Sequence, residues 1–159
     1  MEALSRRVNT LMEYSLFGMG LSMAVIVAVQ VFFRYALNRS LFWSEEVARF
    51  LLVWLTFLGA TVAYYRGANP GVEALYDRLP EHGRRACKVA VYLLSLAFFA
   101  VMVIYGTQFA WFVRMQISPA LRLPKWIPHG VVPISGSVMF LHALNFLTRA
   151  LVGGREGAP

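Results

Sequence analysis

The 159-residue sequence is 58% hydrophobic and 14% charged, whereas an ordinary soluble domain is about a quarter charged, so a water-soluble globular fold is excluded at the outset. The net charge of +7 does not indicate nucleic acid, because the 15 Lys and Arg residues sit mainly at the ends of apolar runs rather than on one face. One cysteine, Cys87, rules out an internal disulfide and leaves the redox compartment open.

Uncharged runs extend from Tyr14 to Phe33, Phe50 to Tyr65, Val89 to Val113 and Trp126 to Thr148. Each approaches or exceeds the ~20 apolar residues that cross a ~30 Å hydrocarbon core as a helix. The predicted fold is an all-α membrane protein, a single membrane domain over 1–159, with spans at about 12–35, 45–65, 87–114 and 127–151. The second run is short, and Val47 and Ala48 extend it past Arg49, whose stem carries its charge toward the interface. No small-residue cleavage site follows the first run, so it reads as a retained span rather than a signal peptide.

Four crossings place both termini and segment 66–88 on one side, with 34–49 and 114–125 on the other. Nine Lys and Arg residues fall on the first side and six on the second, which predicts an N-in/C-in orientation. In the cytoplasmic connection Val72, Leu75, Tyr76 and Leu79 follow helical spacing, with Asn69 as cap, Pro70 in the first turn and Pro80 at the end. A short amphipathic surface helix is expected at about 70–79, lying on the membrane or on the bundle itself. Pro119, Pro124, Pro128 and Pro133 preclude a long regular helix before the last of them, so an ordered external loop precedes span four.

The most informative polar cluster joins spans one and two. Arg34 lies at the negative end of one helix dipole and Glu45 and Glu46 at the positive end of the next, with Ser44 as the expected cap. The steps from Glu45 and Glu46 to Arg49 put opposite charges on one helix face, so Arg34, Glu45, Glu46 and Arg49 are expected to form an ion-pair network that fixes two helices or meets a partner protein. An unpaired charge at mid-bilayer costs roughly 2.5 to 3.5 kcal/mol on insertion scales, which favours such pairing.

Inside the spans the polar residues are Gln30, Thr56, Thr61, Ser95, Thr107, Gln108, His142 and Asn145, with no carboxylate or lysine among them. Pumps and ion-coupled carriers show buried ionisable residues or broken helices at the midplane, so a complete transporter is not expected. Gln30, Gln108 and Asn145 read as hydrogen-bond glue between helices. Glu13, near the inner boundary, is the residue on which the alternative of a self-contained four-helix efflux pump of the small multidrug type rests. His129 and His142 on one helix stand roughly 20 Å apart and do not share a haem iron. With no metal-ligand spacing, phosphate-binding loop or nucleophile–base motif, no catalytic residue, cofactor or metal is expected. Gly18 with Ser22, and Ala24 with Ala28, suit close helix approach. Phe32, Phe33, Trp43, Trp111 and Trp126 cluster near the expected external ends as an interfacial belt.

Three stretches taken together, Arg34-Tyr35, Trp43-Ser44-Glu45-Glu46-Val47-Ala48-Arg49 and Val53-Trp54-Leu55-Thr56-Phe57-Leu58-Gly59-Ala60, resemble the small membrane subunit (Q-type, DctQ-like small permease) of tripartite ATP-independent periplasmic (TRAP) transporters. Leu79-Pro80, Ser118-Pro119 and Ile127-Pro128 to Pro133-Ile134 continue the likeness; Asn69 departs from it, where many members carry histidine. The resemblance implies a non-enzymatic, multi-pass protein of the bacterial inner membrane. It implies two protein partners: a large permease subunit, expected as a separate chain, that carries an organic acid inward with sodium, and a periplasmic substrate-binding protein that captures the acid. The small subunit then widens the large subunit's scaffold and helps dock the binding protein, with sodium coupling left to the large subunit. Spans one and two are the expected contact surface, with Tyr35, Arg39, Trp43, Trp54, Arg114, Arg122 and Lys125 as partner-contact candidates and the basic ones placed to steer an acidic protein. Membrane lipid is the remaining partner.

Overall fold

In hydrocarbon a backbone satisfies its own N–H and C=O groups or leaves them unpaired at several kcal/mol each, so long apolar stretches fold as helices. The structure, a computed structural model, describes residues 2–39, 41–67 and 81–152. Within them lie α1 (Glu2–Ala36), α2 (Phe42–Tyr65), α3 (Glu81–Phe112) and α4 (Val131–Val152). All four are long and apolar enough to cross a membrane. The surface helix expected at 70–79 lies outside the described residues.

At 1.5 Å per residue α1 is ~52 Å long, well beyond a ~30 Å hydrocarbon core. It starts at Glu2, well ahead of the span expected from about residue 12. The polar residues there do not break it, because hydroxyls fold back onto its own carbonyls: Thr10 donates to Arg6 O at 3.0 Å and Ser15 to Leu11 O at 2.9 Å.

At its far end α3 tightens into a 3-10 turn, Val113–Met115. An antiparallel bridge between Ile117 and Pro124 then folds the connection back on itself, and one helical turn, Trp126–His129, leads through Gly130 into α4. Pro133 sits in the first turn of α4, where its missing N–H leaves no bond unmade.

In space the helices run α1, α2, α4, α3. α3 packs chiefly on α4, α1 chiefly on α2, and α2 joins the two pairs by packing on α4. Of the apolar stretch leading through α4, 44% is buried, against 6% for α3 and none for α1. The protein is thus an open layer around one central helix rather than a closed bundle. Its core is Phe99, Met139 and Ala143, flanked by Tyr64, Leu96 and Met102, and the Tyr64 and Phe99 rings meet edge to face at 5.1 Å.

The tight α3–α4 contact rests on reciprocal glycines. A Cβ on Gly106 would lie 3.0 Å from Val132 Cγ1 and 3.2 Å from the Pro133 nitrogen, and one on Gly136 would lie 3.2 Å from Met102 Cβ. Close approach of this kind is how helices gain packing energy where lipid removes the hydrophobic incentive to associate. Gly18, expected to serve such a contact, has nothing within 4 Å. It lies on the outer side of α1 with Phe17 and Val25, and α3 turns Leu94, Phe98 and Tyr105 outward in the same way.

Candidate functional site

Polar chemistry concentrates at the two ends of the layer. One end carries Leu37, Asn38, Arg39 and Leu41 and the connection from α3 to α4 and is termed the loop end; the other carries the start of α1 and the ends of α2 and α4 and is termed the terminal end.

At the loop end α1 closes with Arg39 N–H donating to Phe33 O at 3.1 Å, around Asn38 in a left-handed conformation (φ 51°) that asparagine tolerates. α2 starts after Leu41, which caps it by backbone alone. Ser44, the expected cap, lies inside the first turn instead, buried, its hydroxyl donating to Leu41 O at 2.6 Å. Glu45 ties the first two helices together by accepting from Gln30 Nε2 at 3.4 Å.

Glu46 reaches much farther along the chain. Its Oε2 accepts the backbone N–H groups of Leu121 at 2.8 Å and Ala120 at 3.0 Å, so α2 holds the connection that leads to α4. Arg49 shares a cleft with Glu45 and Glu46 and acts electrostatically on Glu46, but Arg34 and Arg49 are exposed and make no direct ion pair among the described residues. Two convergent N–H groups at fixed positions hold a carboxylate better than a long exposed side chain does, since an exposed ion pair returns only ~0 to 1 kcal/mol.

The held connection is itself braced. Ser118 N–H donates to Leu123 O at 2.9 Å and Lys125 N–H to Gln116 O at 2.8 Å. Leu123 N–H donates to the Ser118 hydroxyl at 3.2 Å, and Lys125 Nζ to Gln116 Oε1 at 3.1 Å. Two clefts flank it. One, of about 420 Å³, is lined by Glu45, Glu46, Arg49, Lys125 and His129 between walls that include Phe42, Phe50 and Pro128. The other, of about 300 Å³, is apolar and lies among Met19, Val47, Leu51, Trp54, Leu121 and Leu123.

Of the partner-contact candidates, Trp54 and Lys125 line these clefts, while Tyr35, Arg39, Trp43, Arg114 and Arg122 are exposed at the same end. The Arg114 guanidinium stacks 3.7 Å from the centroid of the Trp111 ring. Arg122 has φ 52°, a left-handed conformation that costs an L-residue roughly 1 to 2 kcal/mol.

At the terminal end the structure holds a polar seam, buried at Ser5, Asn9 and His142 and open to the outside at Glu13 and Arg66, that the residues alone did not suggest. Ser5, Asn9 and Glu13 recur every fourth residue and so share one face of α1. The Ser5 hydroxyl lies 2.6 Å from His142 Nδ1 of α4, Asn9 Nδ2 donates to Glu13 Oε1 at 2.9 Å, and Arg66 Nη2 at the end of α2 reaches the same oxygen at 2.9 Å. Ser5 and His142 are both 1% exposed. The four-residue period of Ser5, Asn9 and Glu13 was the available signal, and it lies ahead of the uncharged run from which the first span was drawn. His142 is a packing residue beside the Tyr65 ring, 4.9 Å away, and His129 Nδ1 lies 2.7 Å from Lys125 O. Threonines 56, 61 and 107 donate to carbonyls of their own helices rather than across to neighbours. Among the described residues no group of three His, Cys, Asp or Glu side chains is placed to hold a metal.

Four apolar helices in an open layer, with their charged groups gathered at the two ends, define a multi-pass membrane protein. The family model for the DctQ component of tripartite ATP-independent periplasmic transporters matches residues 23–153, and the chain belongs to that family. It is 32% identical over 135 residues to the ectoine TRAP transporter small permease protein TeaB of Halomonas elongata, covering 80% of this chain and 69% of that one. A putative TRAP transporter small permease protein of Haemophilus influenzae is 26% identical over 137 residues, 86% of this chain and 84% of its own. The isethionate TRAP transporter permease protein DctMQ of Oleidesulfovibrio alaskensis is 31% identical over 110 residues; these are 66% of this chain, and the chain spans only 17% of that protein's length. The chain is accordingly a TRAP small permease subunit, a transport component and not an enzyme.

Proposed function

We propose that this chain is the non-catalytic small permease subunit that scaffolds a separate large TRAP permease subunit and helps dock a periplasmic substrate-binding protein, for sodium-coupled uptake of an organic acid. It sits in the bacterial inner membrane with both ends cytoplasmic, so the loop end faces the periplasm. The observation that carries this reading is the open layer. α1 and α3 turn apolar stripes outward, with Phe17, Leu21 and Val25 exposed on the first and Leu94, Phe98 and Tyr105 on the second. They hold almost no fully buried residue, while α4 is the best buried of the four, as suits a membrane protein completed by another one. The described spans also offer no midplane carboxylate or lysine at which a solute or ion would pause, which leaves sodium and solute to the large subunit. Glu13, which an efflux pump would need at mid-membrane and available, is engaged by Arg66 and Asn9 near the terminal end.

The test is reconstitution into liposomes with radiolabelled sodium. Flux is expected only when the cognate large subunit and the solute-loaded binding protein are present, and sodium flux or cationic-dye efflux with this chain alone would refute the proposal.

A further inference from the structure

By its prolines, segment 116–125 is expected to be an ordered external loop carrying partner-contact candidates, and the structure braces it from three directions. Backbone bonds tie its two limbs together across Ser118–Leu123 and Gln116–Lys125. Leu121 and Leu123 line the apolar cleft against Val47 and Trp54 of α2. Glu46 clamps the N–H groups of Ala120 and Leu121 from the side.

Between those two leucines stands Arg122, exposed, with no carboxylate partner among the described residues. The other two cations of this connection are engaged at home, Arg114 on the Trp111 ring and Lys125 on Gln116. Arg122 also adopts a left-handed conformation, φ 52°, that glycine or asparagine would take more cheaply. A strained backbone that presents an unengaged guanidinium on a braced loop points to recognition rather than packing. Holding the backbone that carries the group still beforehand lowers part of the entropy lost on binding, and a guanidinium fork matches a carboxylate.

We propose that Arg122 is a fixed docking contact for an acidic patch on the soluble protein that meets the loop end, and that Glu46 is the positioning residue that holds it there. The inference rests on the docking role proposed above and adds which cation makes the contact and what aims it.

The experiment uses nanodiscs holding this chain with its large subunit, and the cognate periplasmic binding protein as the probe. Arg122→Gly keeps the left-handed backbone without strain and removes only the charged side chain. It is expected to weaken binding about tenfold, the scale of one well-formed charged contact, and to flatten the salt dependence while the large subunit still copurifies. Arg122→Lys should fall between the two, because a point charge replaces the fork. Glu46→Gln should weaken binding in the same direction and speed tryptic cleavage after Arg122, which reports a freed loop. Unchanged affinity in Arg122→Gly overturns the inference. Loss of the large subunit from that variant overturns it too, since the loop would then be an assembly contact. A wild-type complex that holds the large subunit but does not bind the binding protein would overturn the docking role itself, and this inference with it.

Discussion

The carboxylate of Glu46 has two uses open to it: a flexible guanidinium three residues along its own helix, or two backbone N–H groups on a connection 74 and 75 residues away. It takes the second, and so joins α2 to the segment that leads into α4. Glu46→Lys removes two charge-assisted hydrogen bonds and places a cation against N–H donors. It should lower the melting temperature of the purified subunit, because the two N–H donors lose their acceptor; an unchanged melting curve would remove the clamp from the account. The Ser5–His142 pair at the other end tests the same reasoning in a buried setting. Ser5→Ala leaves His142 Nδ1 buried without a partner and should cost about 1 to 3 kcal/mol, whereas the double variant Ser5→Ala/His142→Phe should recover most of that loss, because an apolar pair leaves nothing unsatisfied. Equal losses in the single and double variants would contradict this.

Elements obey the same distinction between groups with a partner and groups without one. α3 and α4 meet through Gly106 and Gly136, where even a methyl group would press on backbone or on a Cβ, while Gly18 of α1 faces open space. Gly136→Val should therefore destabilise the purified subunit by about 1 to 3 kcal/mol, as overpacking does. Gly18→Leu should leave the melting temperature of the isolated chain unchanged; comparable losses from both would show the layer to be wrongly drawn.

The spans were legible because charge is nearly absent from them, and Pro133 in the first turn of α4 suited both a helix start and the end of the loop. The beginning of α1 was not legible, since Ser5, Arg6, Arg7 and Asn9 lie ahead of the uncharged run and nothing local shows that α4 supplies His142 to meet the first of them. Nor was the role of Glu46 legible, for helical spacing offered a nearby arginine and nothing local pointed to Ala120 and Leu121. Arg122 could be counted as an external cation, but its left-handed backbone depends on the bonds that close the loop around it.

At the scale of the whole molecule, helix order decides what the protein does. With α4 central and α1 and α3 on the flanks, the layer exposes two apolar faces of membrane length. One such face meeting lipid is ordinary; a pair of them on so small a protein suits attachment to a larger membrane partner. The distribution of Lys and Arg sets the expected orientation. Reporter fusions at Arg39 should score as periplasmic and fusions at His82 as cytoplasmic, and a cytoplasmic signal at Arg39 would invert the assignment of the loop end. The measurement that bears most directly on the account is affinity purification of this chain, tagged at its C-terminus, from membranes that also express its cognate large permease. A stoichiometric complex that survives detergent extraction is predicted, and clean recovery of the small chain alone, with the permease left in the flow-through, would contradict it.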